Sequence, residues 1–137
     1  MTSSSTFANS SVLVTGANRG LGKALVEEVL RRGARWVYAA ARQPHTHPDP
    51  RVRPLALDIT DPAQIQAAVE QVDSLDVLIN NAGVSLPDDL GGRHPLEHHL
   101  AVNLYGTWDV TRAFLPVLTR SATSASSARG RTRRCGT

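Results

Sequence analysis

Cysteine is almost absent from this chain of 137 residues: Cys135 stands alone. A single thiol excludes an intrachain disulfide framework and a zinc site built from cysteines. Lysine is equally scarce. Lys23 is the only one, and the other 14 of the 15 basic residues are arginine. No apolar run approaches the ~20 residues that a membrane-crossing helix needs, so no membrane partner is expected. Residues 1–10 are rich in Ser and Thr, without a basic start or an apolar stretch. They do not resemble a signal peptide; a cytoplasmic location and a disordered N-terminus are the expectation. Thr119 to Thr137 contains no acid, no aromatic and no large aliphatic residue. Such a segment buries too little apolar surface to offset its ordering entropy, so residues 119–137 are expected to be a disordered basic tail. Between these ends, a chain with 41% hydrophobic and 20% charged residues has room for one globular domain, residues 11–118.

What is present centres on Thr15-Gly16-Ala17-Asn18-Arg19-Gly20-Leu21-Gly22. An apolar run, Val12 to Val14, precedes it and a helical pattern from Leu21 to Arg32 follows, with Leu21, Ala24, Leu25 and Val29 on its expected apolar face. A strand, a glycine-rich turn and a helix together suit a phosphate, because the first helical N–H groups lack internal partners and carry the positive end of the dipole, the plainer alternative being a turn that closes an ordinary strand–helix unit. Gly33 reads as the residue that ends this helix. Trp36 to Ala41, closed by Arg42, reads as a second strand, and residues 43–54, with four prolines, as a loop. A third strand is expected over Val52 to Asp58. A helix should begin at Asp61, with Pro62 in its first position, Gln64 completing a capping box, and Ile65, Ala68, Val69 and Val72 buried. Asp76 to Ile79 reads as a fourth strand leading into Asn80-Asn81-Ala82-Gly83. After a polar loop over 85–95 comes a long helix bearing Leu100, Leu104, Trp108, Thr111, Phe114, Leu115 and Leu118, with Pro116 near its end. Alternating strands and helices imply a doubly wound parallel sheet of order 3-2-1-4, truncated after the fourth strand and its following helix, with a crevice between strands 1 and 4.

Four motifs in this order, Thr15-Gly16-x-x-x-Gly20-x-Gly22, Asp58-Ile59, Asn80-Asn81-Ala82-Gly83 and Asn103, resemble the short-chain dehydrogenase/reductase family, specifically its N-terminal, cofactor-binding half. The resemblance covers residues 10 to 118. It implies a Rossmann-like fold, a nicotinamide dinucleotide as partner, and hydride transfer between that cofactor and a small carbonyl or alcohol substrate. It places Thr15, Gly16, Asn18, Arg19, Gly20, Leu21, Gly22, Arg42, Asp58, Ile59, Asn81, Ala82 and Gly83 at the cofactor. Asp58 would accept from the adenine amino group, the plainer alternative being a helix cap. Asn103 would be the catalytic contributor, breaking the long helix locally and holding a water of the proton relay; a satisfied amide on the helix is the alternative.

The expected cofactor is NADP, with NAD second. An NAD enzyme needs an acid at the end of strand 2 for the ribose 2′-OH. The chain has Ala40-Ala41-Arg42 there, and no acid between Glu28 and Asp49. Arg42 and Arg19 can meet a 2′-phosphate by charge-assisted bonds, although both could also be solvated surface arginines. His94, His98 and His99 lack a matching carboxylate and are interrupted by Pro95, so no metal site is expected. His45 and His47 read as solvated. The tail arginines, without interleaved aromatics, give no specific nucleic-acid site.

The family's Tyr-x-x-x-Lys pair and preceding Ser are missing. Tyr38 and Tyr105 are the only tyrosines, followed four residues on by Arg42 and Asp109. The chain is therefore expected not to turn over alone, and to be the curtailed product of a longer gene. An unpaired fourth strand should leave it weakly folded and prone to associate, possible oligomer contacts being made by helix 97–118. The rival class is a non-catalytic dinucleotide-binding or interaction protein with a basic tail.

Overall fold

In a computed structural model of the chain the described residues are 7–83, 97, 98 and 100–128, with 122–128 described in main chain only. The expected loop 85–95, His94, His99 and the arginines from Arg129 onward lie outside them. Four parallel strands, β1 (Ser11–Thr15), β2 (Trp36–Ala41), β3 (Val52–Ala56) and β4 (Val77–Ile79), pair in the order β3-β2-β1-β4. That is the expected doubly wound order, with β1 central and buried along its whole length. Val12, Leu13 and Val14 stand opposite Val77, Leu78 and Ile79. Both ends of the β1–β4 pair are fastened by polar groups. At the bottom, Asp76 Oδ2 accepts from Ser11 N at 2.8 Å and the Ser11 hydroxyl donates to Ser74 O at 2.7 Å. The fastening at the top belongs to the site.

Helix α1 (Gly20–Arg31) ends as expected at Gly33: Ala34 N donates to Val29 O and Gly33 N to Leu30 O, both at 3.0 Å, the paired bonds of a Schellman motif. Its buried face is not the expected one. Gly22, Val26, Val29 and Leu30 are buried, while Leu21 and Ala24 are exposed. The glycine turn sets the phase, because Gly22 is the residue that touches the strand end. Helix α2 (Pro62–Gln71) buries Ile65 and Ala68, with Val72 at its cap. Asp61 Oδ1 accepts from Ala63 N and Gln64 N as an N-cap should. The capping box is only half formed, however: Gln64 Oε1 accepts from Asp58 N at 2.8 Å, three residues earlier than the cap.

The long helix departs furthest from expectation. Leu100–Gly106 is wound as a π-helix and Thr107–Ala128 as helix α3, through Pro116. The core face is Val102, Gly106, Val110, Phe114, Val117 and Ser121. Leu104, Trp108 and Leu115, carried by the same helix, are each half exposed or more. Main-chain approach decides this: a Cβ on Gly106 would fall 2.8 Å from the Ile59 side chain, so only glycine lets the helix sit this close to the residues after β3. The helix also passes the expected boundary at 118 by ten residues. The reason is visible at Ser121, whose buried hydroxyl accepts from Leu75 N at 2.8 Å. Ser121→Ala should leave that amide unpaired and cost about 1–3 kcal/mol. Equilibrium denaturation checks this, and an unchanged midpoint would show that water reaches Leu75. Among the described residues no helix is long and apolar enough to cross a membrane.

Candidate dinucleotide site

The site forms where the carboxyl ends of β1 and β4 part. Thr15, at the end of β1, is only 2% exposed. Its Oγ1 accepts from Asn81 N at 3.0 Å and Ala82 N at 2.9 Å, and donates weakly to Ile79 O at 3.5 Å. Asn81 answers across the gap, its Nδ2 donating to Thr15 O and Gly16 O, both at 3.2 Å. Thr15 thus differs from its expected role: its hydroxyl is spent inside the protein, and it positions the cradle without being free to touch a ligand. Asn81 is likewise half structural.

Above this cross-brace lies the glycine turn. A Cβ on Gly22 would fall 1.9 Å from Gly16 O and 2.6 Å from Asn81 Nδ2, so Gly22 is required by the protein's own packing. Gly20 differs. It has φ +56°, and a Cβ there would meet nothing within 4 Å. Its emptiness faces the start of α1, where Arg19 is the N-cap, makes no side-chain capping bond, and no acid occupies the first turn. Main-chain donors, a positive dipole end and open space together suit an anion. Leu21, 68% exposed, stands beside this space.

The wall beyond β2 is polar. Ala17 N donates to Ala40 O at 3.1 Å, and Asn18 Nδ2 to Gln43 O at 2.5 Å, which ties the turn to the β2–β3 loop. Asn18 therefore also has a structural task. Arg42 and Arg19 are both exposed. Asp58 Oδ1 accepts from Thr60 N at 2.9 Å and Thr60 Oγ1 at 2.6 Å. These bonds, with a smaller contribution from the nearby Arg42 charge, hold its carboxyl below the usual carboxylate range. Asp58 is therefore a fixed anion, with Oδ2 lacking a hydrogen-bond partner among the described residues. Ile59 is buried against Gly106, so its side chain belongs to the core and only its main chain can reach a ligand.

On the other side of the crevice, a Cβ on Gly83 would lie 3.1 Å from Asn103 Oδ1. The π-helix therefore brings Asn103 directly over the turn after β4; π turns recur at functional sites. Three contributions escaped the sequence reading. Asn80 Nδ2 donates to Thr111 Oγ1 at 3.0 Å and docks α3 on β4. Gly106 admits the π-helix. His47, expected to be solvated, is paired instead: its Nε2 lies 2.6 Å from Glu27 Oε1 and its Nδ1 accepts from Asp49 N at 3.0 Å. Among the described residues no group of three His, Cys, Asp or Glu side chains could hold a metal ion.

The profile of the family described as short chain dehydrogenase matches residues 10–129. The short chain dehydrogenase pigC of Monascus ruber is 36% identical, over 83% of this chain and 45% of its own length. A crystal structure of a short chain dehydrogenase from Burkholderia cenocepacia in complex with NADP is 38% identical, with a TM-score of 0.75 over 84% of this chain and 50% of that one. A 3-ketoacyl-(acyl-carrier-protein) reductase from Brucella melitensis, complexed with NADH, is 24% identical and shares the fold at a TM-score of 0.75, over 91% of this chain and 55% of that one. The chain spans about half the length of the curated relatives it matches.

Proposed function

The chain belongs to the short-chain dehydrogenase family, and from that premise we propose that it is the cofactor-holding half of an NADP-dependent oxidoreductase. The observation that carries the reading is the open space over Gly20 at an uncapped, acid-free helix start whose N-cap residue is Arg19. The pyrophosphate would lie on the first turn of α1. Asp58 would accept from the adenine amino group, and Gly83 with Asn103 would flank the nicotinamide end. When bound, the dinucleotide supplies a hydride to a carbonyl or takes one from an alcohol.

Related proteins of this fold hold NADP in one case and NADH in another, so the choice rests on this chain's own residues. An acid at the end of β2 would accept from a 2′-OH and repel a 2′-phosphate; Arg42 stands in that region instead. One charge-assisted bond is worth about 1.5–3 kcal/mol, or roughly ten- to a hundredfold in favour of NADPH. Fluorescence titration with NADPH and NADH measures it directly. Arg42→Asp should shift the preference towards NADH, and equal affinities in the unaltered chain would refute the reading.

A second reading, dinucleotide binding without catalysis, is favoured by one observation: Tyr105 is followed four residues on by Asp109, and Tyr38 by Arg42, so no Tyr-x-x-x-Lys pair is present. NADPH consumption with a panel of ketones and aldehydes separates the two readings. The exposed Leu104, Trp108 and Leu115 support self-association through the long helix as part of either.

A further inference from the structure

The connection from β2 to β3 is short. It has ten residues, 42–51, contains no helix, and begins with Arg42. Where this loop passes α1 it borders an open-sided pocket of about 340 Å³, to which Val26, Ala39 and Val52 contribute from the helix and sheet and His45, His47 and Pro48 from the loop. Beside that open space the loop is tied down by polar contacts. Its far end is braced by Arg51, which donates to Leu30 O at 3.1 Å and Ala34 O at 3.3 Å and pairs with Asp49. That pairing holds the Asp49 carboxyl at about 2. Its near end is held by Asn18 on the Gln43 carbonyl. Between them a single side-chain bond ties the span to α1, from His47 to Glu27.

We propose that Glu27 and His47 form a clasp that positions Arg42 for a 2′-phosphate, making both positioning residues for cofactor choice. The proposal rests on the NADP reading above. The bond is directional: Asp49 N donates to Nδ1, so in the neutral ring the proton sits on Nε2 and is donated to Glu27 Oε1. The His47 side chain is only 22% exposed, so the ring is held on its inner side. Arg42 itself is exposed and forms no ion pair among the described residues, although its charge is felt by Asp58. Its direction is inherited from the loop it begins. NADH carries no 2′-phosphate, so the clasp acts on one cofactor and leaves the other untouched. A merely structural pair would affect both.

The test uses the whole chain. NADPH and NADH affinities are measured for the unaltered protein, Glu27→Ala, His47→Ala, the double variant and Glu27→Gln. Amide exchange is followed in residues 43–49 and in β1. Each alanine variant should bind NADPH about three- to tenfold more weakly, with NADH within about twofold. The double variant should be no worse than the weaker single one, because both remove the same contact. Glu27→Gln, which keeps an acceptor oxygen, should recover most of the loss. Exchange should quicken in 43–49 and stay slow in β1. If the unaltered chain prefers NADPH and the alanine variants keep that preference, the clasp is refuted while the cofactor reading stands. Equal loss of both cofactors also refutes it, as general destabilisation. An unaltered chain without NADPH preference overturns the cofactor reading itself.

Discussion

Gly22→Ala should cost roughly 3 kcal/mol or more and abolish dinucleotide binding, whereas Gly20→Ala should keep the fold and lose only the binding. The two glycines belong to one motif, yet the structure gives them separate reasons. At Gly22 the added Cβ would fall 1.9 Å from the Gly16 carbonyl oxygen and 2.7 Å from its carbon. Main chain cannot rotate out of the way as a side chain can, so α1 must lift from β1. Overpacking of ordinary cores costs about 1–3 kcal/mol, and this collision is closer than those. A domain with 5–15 kcal/mol in total would be visibly weakened. At Gly20 the Cβ meets nothing. The left-handed φ of +56° is then the only internal cost, about 1–2 kcal/mol for alanine. The methyl group would, however, occupy the space proposed above for the cofactor, and on that proposal at least a tenfold loss of NADPH affinity is expected. Thermal melting and titration of both variants decide the matter. A Gly22→Ala chain that melts with the unaltered one would refute the packing argument. A Gly20→Ala chain that binds NADPH normally would show that the cofactor lies elsewhere.

Thr15→Val should be the most damaging change of nearly constant volume in the protein. Valine fills the same space, so no cavity opens. What it removes is the acceptor for Asn81 N and Ala82 N. Two amides at a buried strand end would be left without partners, at about 1–3 kcal/mol each, and about 2–4 kcal/mol together is expected since the two losses are coupled. Thr15→Ser is the matched control. It keeps the oxygen and deletes one methyl group, worth about 0.8 kcal/mol. Denaturant unfolding of the pair isolates the hydroxyl, and a valine variant as stable as the serine one would refute the brace. Because Asn81 also reaches across to Thr15 O and Gly16 O, the valine variant should loosen the glycine turn and weaken cofactor binding as well.

The strand order was legible because alternation and the right-handed crossover leave few arrangements open. The glycine turn and Asn81 were legible as neighbours because the strand order sets the ends of β1 and β4 side by side. The faces of the helices were not. Reading α1 by its larger apolar residues put Leu21 inward, but the phase of that helix is set by the fit of Gly22 against Gly16. Along the last helix the large residues Leu104, Trp108 and Leu115 again drew the eye. The buried face instead joins Phe114 to the smaller Val102, Val110 and Val117 around Gly106, with a π-wound stretch before it that shifts the phase. Ser and Ala after position 118 carry no periodic signal, yet one hydroxyl, on Ser121, anchors the extra turns to Leu75. The family match likewise reaches residue 129. Glu27 and His47 meet only because a proline-bearing loop folds over α1, a tertiary fact that no local pattern records.

Thr15 and Asn81 are 66 residues apart, and that interval has a meaning in time. A chain made at about 5–20 residues per second needs roughly 3–13 s to add them. Once residues 36–41 have been added, β1 has β2 to pair with, the glycine turn can fold over Ala40, and α1 can pack. Its other flank, where β4 will lie, is bare. The Thr15 hydroxyl has no amides to receive, and the cradle has only one wall. During synthesis the anion site is therefore completed late, by the arrival of residues 77–82. On the proposed reading, a dinucleotide in solution would reward folding only from that moment on. Pulse-labelled ribosome-bound chains ending before and after residue 82 would place that moment on the clock.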